Sequence, residues 1–173
     1  MRDRDLRIEP AAALHREPLR AICAEDPEIW SIYPFRFFGE DFDRHFDELL
    51  DTSVNVPTVI LQGEQLVGTS SYLGVDQPNR GLEIGRTYLS PSIRGTGLNA
   101  RVKRLMLDRA FQEGFTRVTF KVDTRNARSM AAVRKLGAAQ EGTLRRDRIT
   151  WTGYVRDTAI FSILADEWAE IRR

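Results

Sequence analysis

One cysteine, no long apolar run and almost no net charge are what this sequence has least of, and each shortage excludes something. Cys23, the single cysteine among 173 residues, has no partner for a disulfide within the chain and cannot build a zinc cluster by itself. It lies beside Ile22 in an apolar helical stretch, where a thiol packs as a small hydrophobe. The 26 basic residues are offset by 25 acidic ones, leaving a net charge of +1. That balance excludes a dedicated nucleic-acid binder or a polybasic membrane anchor, so any anion site must be local. The opening stretch MRDRDLRIEP lacks the apolar core of a signal peptide, and no other run approaches membrane-spanning length. The expectation is a cytoplasmic protein with neither membrane nor nucleic acid as partner. Repeats, low-complexity tracts and linkers rich in Pro, Gly and Ser are missing too, so residues 1–173 read as a single domain.

What is present has clear periodicity. LRIEP at 6–10 reads as a first strand. Residues 16–24, with Pro18 near the start and Leu19, Ile22 and Cys23 on one side, read as a helix. EDFDRHFDELL places Phe42, Phe46, Leu49 and Leu50 at i, i+4, i+7 and i+8, a second amphipathic helix. From Thr58 the period changes: TVILQ and LVGTSSYLGV have hairpin spacing, and LEIGRTYL follows a further turn. A helix is predicted over 97–113 with Leu98, Val102, Leu105 and Met106 inward, then the strand RVTFKVD. A shorter helix opens on Asn126 and closes at Gly137. Strands near 143–151 and at VRDTAIFSIL, and a short terminal helix, complete the chain. The order β, α, α, β, β, β, α, β, α, β, β predicts a mixed α/β (α+β) sheet. His15 and His45 fall at surface-like helix positions and are not nominated as base or ligand.

The stretch PSIRGTGLNARVKRLML puts two glycines and an arginine ahead of a helix, as a phosphate cradle does. Read as GxGxxA through Gly95, Gly97 and Ala100, with Asp123 ending the next strand, it imitates a dinucleotide fingerprint. That fingerprint follows its strand directly and is followed by further parallel βα units; here Ser90 to Arg94 intervene, and one helix and a hairpin come after. A nucleoside triphosphate loop needs Lys and then Ser or Thr after the last glycine, where this chain has Leu98 and Asn99. Taken alone, the loop also fits a glycine turn that only starts a helix.

Shifted by one residue, the loop reads Arg94-x-x-Gly97-x-Asn99 after LSP. This resembles the pyrophosphate loop of the GCN5-related N-acetyltransferases (GNAT superfamily). EIGRTYLSPSIRGTGLN is similar to the family's central strand and its motif, and NARSMAAVRKLGAAQEGTLRRD to the motif after it. The nearest likeness is to the RimJ/RimL-type branch, which acetylates protein N-termini and assorted small amines, and it covers about residues 58–164. Asn99 stands where many members have Gly or Ala, and Ala139 where many have an aromatic.

The resemblance implies the GNAT fold, with a mixed, mostly antiparallel central sheet flanked by helices, and a single acetyltransferase domain. It also implies an N-acetyltransferase that moves acetyl from acetyl-CoA to a primary amine, on a peptide or a small molecule, by direct attack in a ternary complex. No metal is implied, and the alternative is a non-catalytic acyl-CoA-binding or sensing module on the same fold. Physically, the unpaired N–H groups of Gly95, Thr96, Gly97, Leu98 and Asn99, at the positive end of a helix dipole, suit one anionic group, here the pyrophosphate. The two glycines let the backbone approach closely, and Arg94 adds charge. Arg101, Lys103 and Arg104 either reach the 3′-phosphate or form a solvated helix face.

Main-chain groups of Tyr88 and Leu89 match the positions that pair with pantetheine, and the Leu89 N–H matches the group that polarises the thioester oxygen. In the family a bulge there opens the sheet. Glu83, six residues before Leu89, is the candidate base, directly or through water. An even offset puts both side chains on one face unless a bulge shifts the phase; otherwise Glu83 is an outward-facing strand residue. Deprotonating an α-amine of pKa about 7.8 costs about 1 kcal/mol at pH 7, and a lysine about 4.6 kcal/mol, which favours an α-amine or another weakly basic amine. Many members use a helix Tyr to protonate the leaving thiolate, but the matching residue is Val133. Ser129 then delivers the proton or hydrogen-bonds the sulfur, while Asn126 anchors the pantetheine arm, caps its helix, or both. DPEIWSIYPFRFF corresponds to the wall of the amine site, with Trp30, Tyr33 and Phe35 as lining and Asp26 and Glu28 as attractors of a cationic amine; a satellite core under the sheet accounts for part of this aromatic set. A monomer or a homodimer through the final hairpin fits equally.

Overall fold

The computed structural model describes residues 1–3, 5–50 and 55–172. The strands are β1 (Arg2–Asp3), β2 (Leu6–Pro10), β3 (Val56–Gln62), β4 (Gln65–Asp76), β5 (Gly81–Leu89), β6 (Arg117–Asp123), β7 (Ala139–Ile149) and β8 (Val155–Leu164). The helices are α1 (Arg16–Cys23), α2 (Phe42–Leu50), α3 (Leu98–Gln112), α4 (Ala127–Lys135) and α5 (Ala165–Ile171). All eight strands join one sheet in the order β1-β2-β3-β4-β5-β6-β8-β7. Every pairing is antiparallel except β5 with β6. The mixed, mostly antiparallel sheet flanked by helices is therefore the architecture the sequence predicts. Among the described residues no helix is long and apolar enough to cross a membrane.

Alternation along the strands sends apolar residues to two cores, one on each face. Ile60, Leu82, Ile84, Phe120, Phe161 and Ile163 meet α3, α4 and α5 on one side. Val59, Leu61, Leu66 and Tyr88 meet α1, α2 and the aromatic segment on the other. Phe42 and Phe46, one helical turn apart on α2, are both fully buried, and each contributes roughly 2–3 kcal/mol.

Several sequence readings shift. The strand expected from 143 starts at Ala139, because its residues are all exposed and carry no apolar alternation to mark the start. Leu107 and Lys103 join the buried side of α3, and Leu105 packs against that core half-buried. His15 is not at a surface position: it is 6 % exposed, its Nδ1 accepts the Ala12 N–H at 3.0 Å and its Nε2 lies 3.2 Å from Glu9 Oε1. His45 is half-buried, its ring 5.3 Å from that of Phe35.

Candidate functional site

The sheet is split at its centre. β5 and β6 pair only from Gly81–Glu83 to Arg117–Thr119 and then diverge. A groove of about 830 Å³ opens there, lined by Ile84 to Leu89 on one side and Phe120 to Asp123 on the other. The Ser90 N–H donates to Val67 O at 2.9 Å across to β4. Strand alternation therefore turns the Leu89 N–H the other way, into the gap. The Leu89 N–H thus offers a free donor on the gap side of β5, as an extended ligand with amides requires.

The split is helped by a bulge. Two steps on β4, from Thr69 to Ser71, match three on β5, from Tyr88 back to Gly85. The extra residue lies at Arg86, whose φ is +49°. The bulge inverts the facing pattern: Leu82 and Ile84 enter the core under α3, whereas Tyr88, of the same parity, enters the core under α1 and α2. Glu83 and Leu89 therefore do not share a face, contrary to the unbulged reading. The Glu83 side chain is 17 % exposed, with Oε2 3.2 Å from Lys121 Nζ. Gly85 makes room for it, since a Cβ there would stand 2.8 Å from Glu83 Oε1.

At the far end of the groove lies the glycine loop. Gly95 and Gly97 have φ of +83° and +86°, values that L side chains adopt only with strain. Gly97 is the N-cap of α3. Leu98 N–H lies 3.4 Å from Thr96 Oγ1, but among the described residues no partner takes the N–H of Gly95, Thr96, Gly97 or Asn99. Arg94 donates from Nε to Leu89 O at 2.9 Å and pairs through Nη1 with Asp26, while its buried Nη2 has no partner. Asn99 Oδ1 is also buried and unpaired. The orphaned Arg94 Nη2 and the main-chain donors at a helix N-terminus fit the pyrophosphate of coenzyme A.

Asp26 is committed to Arg94 and does not stand ready for a cationic amine; Glu28 is exposed. Of the three cations offered for the 3′-phosphate, Arg101 is held by Asp3 and Asp5. Lys103 is buried and donates to Ser70 Oγ at 3.2 Å and to Thr87 Oγ1. Only Arg104 remains exposed at the groove.

Across the gap, Asn126 caps α4, its Oδ1 accepting the Ser129 N–H at 2.9 Å. Both residues line the groove, and no partner among the described residues takes the Ser129 hydroxyl. Val133 is buried in the core.

The aromatic segment divides between core and wall. Trp30 is buried, stacked on Tyr88 at 4.8 Å with Nε1 donating to Cys23 O. Tyr33 and Phe35 line the groove and an adjoining cavity of about 100 Å³. Tyr33 donates its hydroxyl to Thr87 O at 2.6 Å, which pins the segment to the bulge, and burial raises its pKa. Burial likewise raises the Cys23 thiol, with Glu25 adding to it, so Cys23 is an inert packing residue. The sequence reading missed Arg86, Thr87, Arg148 and Arg156, all of which line the groove. No local pattern marks them, because their placement depends on bulges. Among the described residues no group of three or more His, Cys, Asp and Glu side chains is placed to hold a metal.

Residues 20–138 match the model of the "Acetyltransferase (GNAT) family". A probable GNAT-family acetyltransferase from Chromobacterium violaceum is 32 % identical, with a TM-score of 0.86 over 97 % of this chain and 92 % of that one. More distant in sequence is ribosomal-protein-S5-alanine acetyltransferase from Vibrio fischeri, 17 % identical with a TM-score of 0.81 over 97 % of each chain. The microcin C7 self-immunity acetyltransferase MccE, solved with acetyl-CoA and AMP, is 18 % identical with a TM-score of 0.84, covering 94 % of this chain and 93 % of that one. At these identities the last two share the fold. No curated protein matches the chain significantly.

Proposed function

The chain belongs to the acetyltransferase (GNAT) family, and from that premise we propose that it transfers the acetyl group of acetyl-CoA to a primary amine, in the manner of the RimJ/RimL-type branch. One observation carries the reading: the open edge of β5 leads to a loop whose main-chain donors and Arg94 Nη2 have no partner. Acetyl-CoA supplies the acyl group as a thioester, already activated for attack. The donors of Gly95 to Asn99 and Arg94 hold its pyrophosphate, while the main chain near Tyr88 and Leu89 orients the pantetheine arm. The Leu89 N–H, aimed into the gap, stabilises the negative charge that gathers on the carbonyl oxygen during transfer. Glu83 takes the proton that the attacking amine must lose, directly or through one water. Ser129 donates a hydrogen bond or a proton toward the departing sulfur. Tyr33 and Phe35 wall the amine side, and Trp30 supports them from the core.

Val133 favours a second reading, because a buried valine stands where a proton-donating tyrosine is usual: a module that binds acyl-CoA without turnover. Thiol release separates the two. With acetyl-CoA and a panel of N-terminal peptides, amino acids, polyamines and aminoglycosides, transfer gives free thiol with at least one amine. Stabilisation by acetyl-CoA with no release from any of them supports the binding module.

A further inference from the structure

The charges at the amine end of the groove are not balanced. Each carboxylate there has a partner. Glu83 faces Lys121. Asp123 accepts from Arg125 Nη2 at 2.7 Å and Nε at 3.1 Å. Asp147 accepts the Thr158 hydroxyl at 2.8 Å and lies 3.9 Å from Arg148 Nε. Arg156 is left over. Its side chain is 8 % exposed, its Nε is buried without a hydrogen bond, and its nearest carboxylate oxygen, on Asp123, is 3.9 Å away. A guanidinium so placed has lost water and gained little.

Its neighbours make this worse. Arg148 sits directly opposite Arg156 in the β7–β8 register, and like charges facing one another across strands are destabilising. Arg86, on the β5 bulge, has no ion pair among the described residues. Burial lowers the pKa of both Arg86 and Arg156 and the charge of Arg148 adds to it, against an opposing pull from Glu48 and Glu83 at Arg86 and from Asp123, Asp147 and Glu83 at Arg156. All three guanidiniums line the same groove as Glu83. They are set apart from the glycine loop by the sheet itself. Ala159, Phe161 and Ile163 face the core under α3, so Arg156, of opposite parity on β8, points to the other face of the sheet, where Asp123 and Arg148 are its neighbours.

Resting on the acetyl-transfer reading, we propose that the acceptor is an amine that also carries an anionic group, a carboxylate or a phosphate, seated on Arg156 with Arg148 and Arg86 around it. The anion completes the hydrogen bonding of the buried guanidinium and relieves the Arg148–Arg156 repulsion. Glu83, still facing Lys121 through Oε2, serves the amine at the other end of the same molecule. Among the described residues a polycation finds no unpaired carboxylate at this end of the groove, and it meets three guanidiniums.

The test uses acceptor pairs that differ in one charge: alanine against alaninamide and phosphoethanolamine against ethanolamine, with spermidine as the cationic acceptor, all read by thiol release. Alaninamide has the less basic amine, so an advantage for alanine does not come from a greater neutral fraction. The expected result is a kcat/KM at least about tenfold higher for the anionic member of one pair; the pair that shows it identifies carboxylate or phosphate. Arg156→Gln should bring that ratio toward one with the KM for acetyl-CoA unchanged, and Arg156→Lys should retain part of it. Because Arg156 is buried and its removal can unsettle the fold, the half-exposed Arg148→Gln is the second variant, with a smaller fall in the same ratio. Any result in which no anionic amine outpaces its neutral partner, or in which both variants keep the ratio, overturns the proposal. If acetyl-CoA stabilises the protein and spermidine is turned over fastest, the anion seat alone is wrong. If acetyl-CoA gives neither stabilisation nor thiol with any amine, the transfer reading has failed and the anion seat falls with it.

Discussion

Arg94 to Asn99 build one end of the groove from consecutive residues and largely from main chain, whereas the other end takes Tyr33, Glu83, Arg86 and Arg156 from separate parts of the chain and works with side chains. The first end needs only a glycine turn and a helix start, and on the proposed reading it holds the pyrophosphate, a group common to every reaction with acetyl-CoA. The second depends on bulges and on contacts between distant segments, and small changes in either alter what it accepts. On the proposed reading, recognition of the donor is a local property of the chain, and recognition of the acceptor a property of the whole fold.

The sharpest way to break the donor end alone is Gly97→Glu. It forces a side chain onto a φ of +86° and puts a negative charge where an anion must sit. Affinity for acetyl-CoA should fall by about two orders of magnitude or more, read as loss of thermal stabilisation in a protein that still folds. Retained stabilisation would show that the loop is not the pyrophosphate site. Glu83→Gln should break the acceptor end and spare the donor end: turnover near pH 7 falls about a hundredfold while stabilisation by acetyl-CoA persists. The deficit should narrow toward pH 9, where more of the amine is already neutral. A pH–rate profile parallel to that of the unaltered protein would remove Glu83 as the base.

Lys103 belongs to both ends, since it rises from α3 and donates to the Thr87 hydroxyl beside the bulge. Burial lowers its pKa from 10.5 to about 7, against an opposing pull from Glu83. Between those values the unfolded chain holds a proton that the folded protein has released, so raising the pH favours the folded state. The slope from this one group is about 1.4 kcal/mol per pH unit from near pH 7 up to about 10.5. Lys103→Met should flatten the dependence of unfolding free energy on pH by that amount, measured by denaturant titration. Curves that stay parallel across that window would mean that Lys103 keeps its proton in the fold.

The same division explains what was legible in the sequence. Nearly every strand and helix follows from apolar spacing, and the glycine loop and the Asn126 cap from residue type. What escaped was decided elsewhere. The inversion at Arg86 reflects a one-residue mismatch between β4 and β5, which only the family resemblance implies and β5 itself does not announce. Arg156 looks like any charged residue in an alternating strand until its cross-strand partner is known. His15 appeared exposed on helical spacing, but it is buried against Ala12 and Glu9, both before it in the chain. Lys103 was read as part of a basic helix face because nothing in α3 says that Ser70 and Thr87 lie opposite it.

The outermost strand, β7, is exposed along all 11 of its residues and has no neighbour on its outer side. A flat edge of that length would template the addition of further strands. Here four residues' advance on β7, from Leu144 to Arg148, matches two on β8, from Thr158 to Arg156, and Arg146 takes a φ of +53°. The edge is thereby interrupted among the charges Arg145, Arg146, Asp147 and Arg148, which breaks the flat run that a further strand would pair with. Straightening this hairpin to make the protein more robust would restore a flat, pairable edge, and would pull Arg148 away from the groove in the same step.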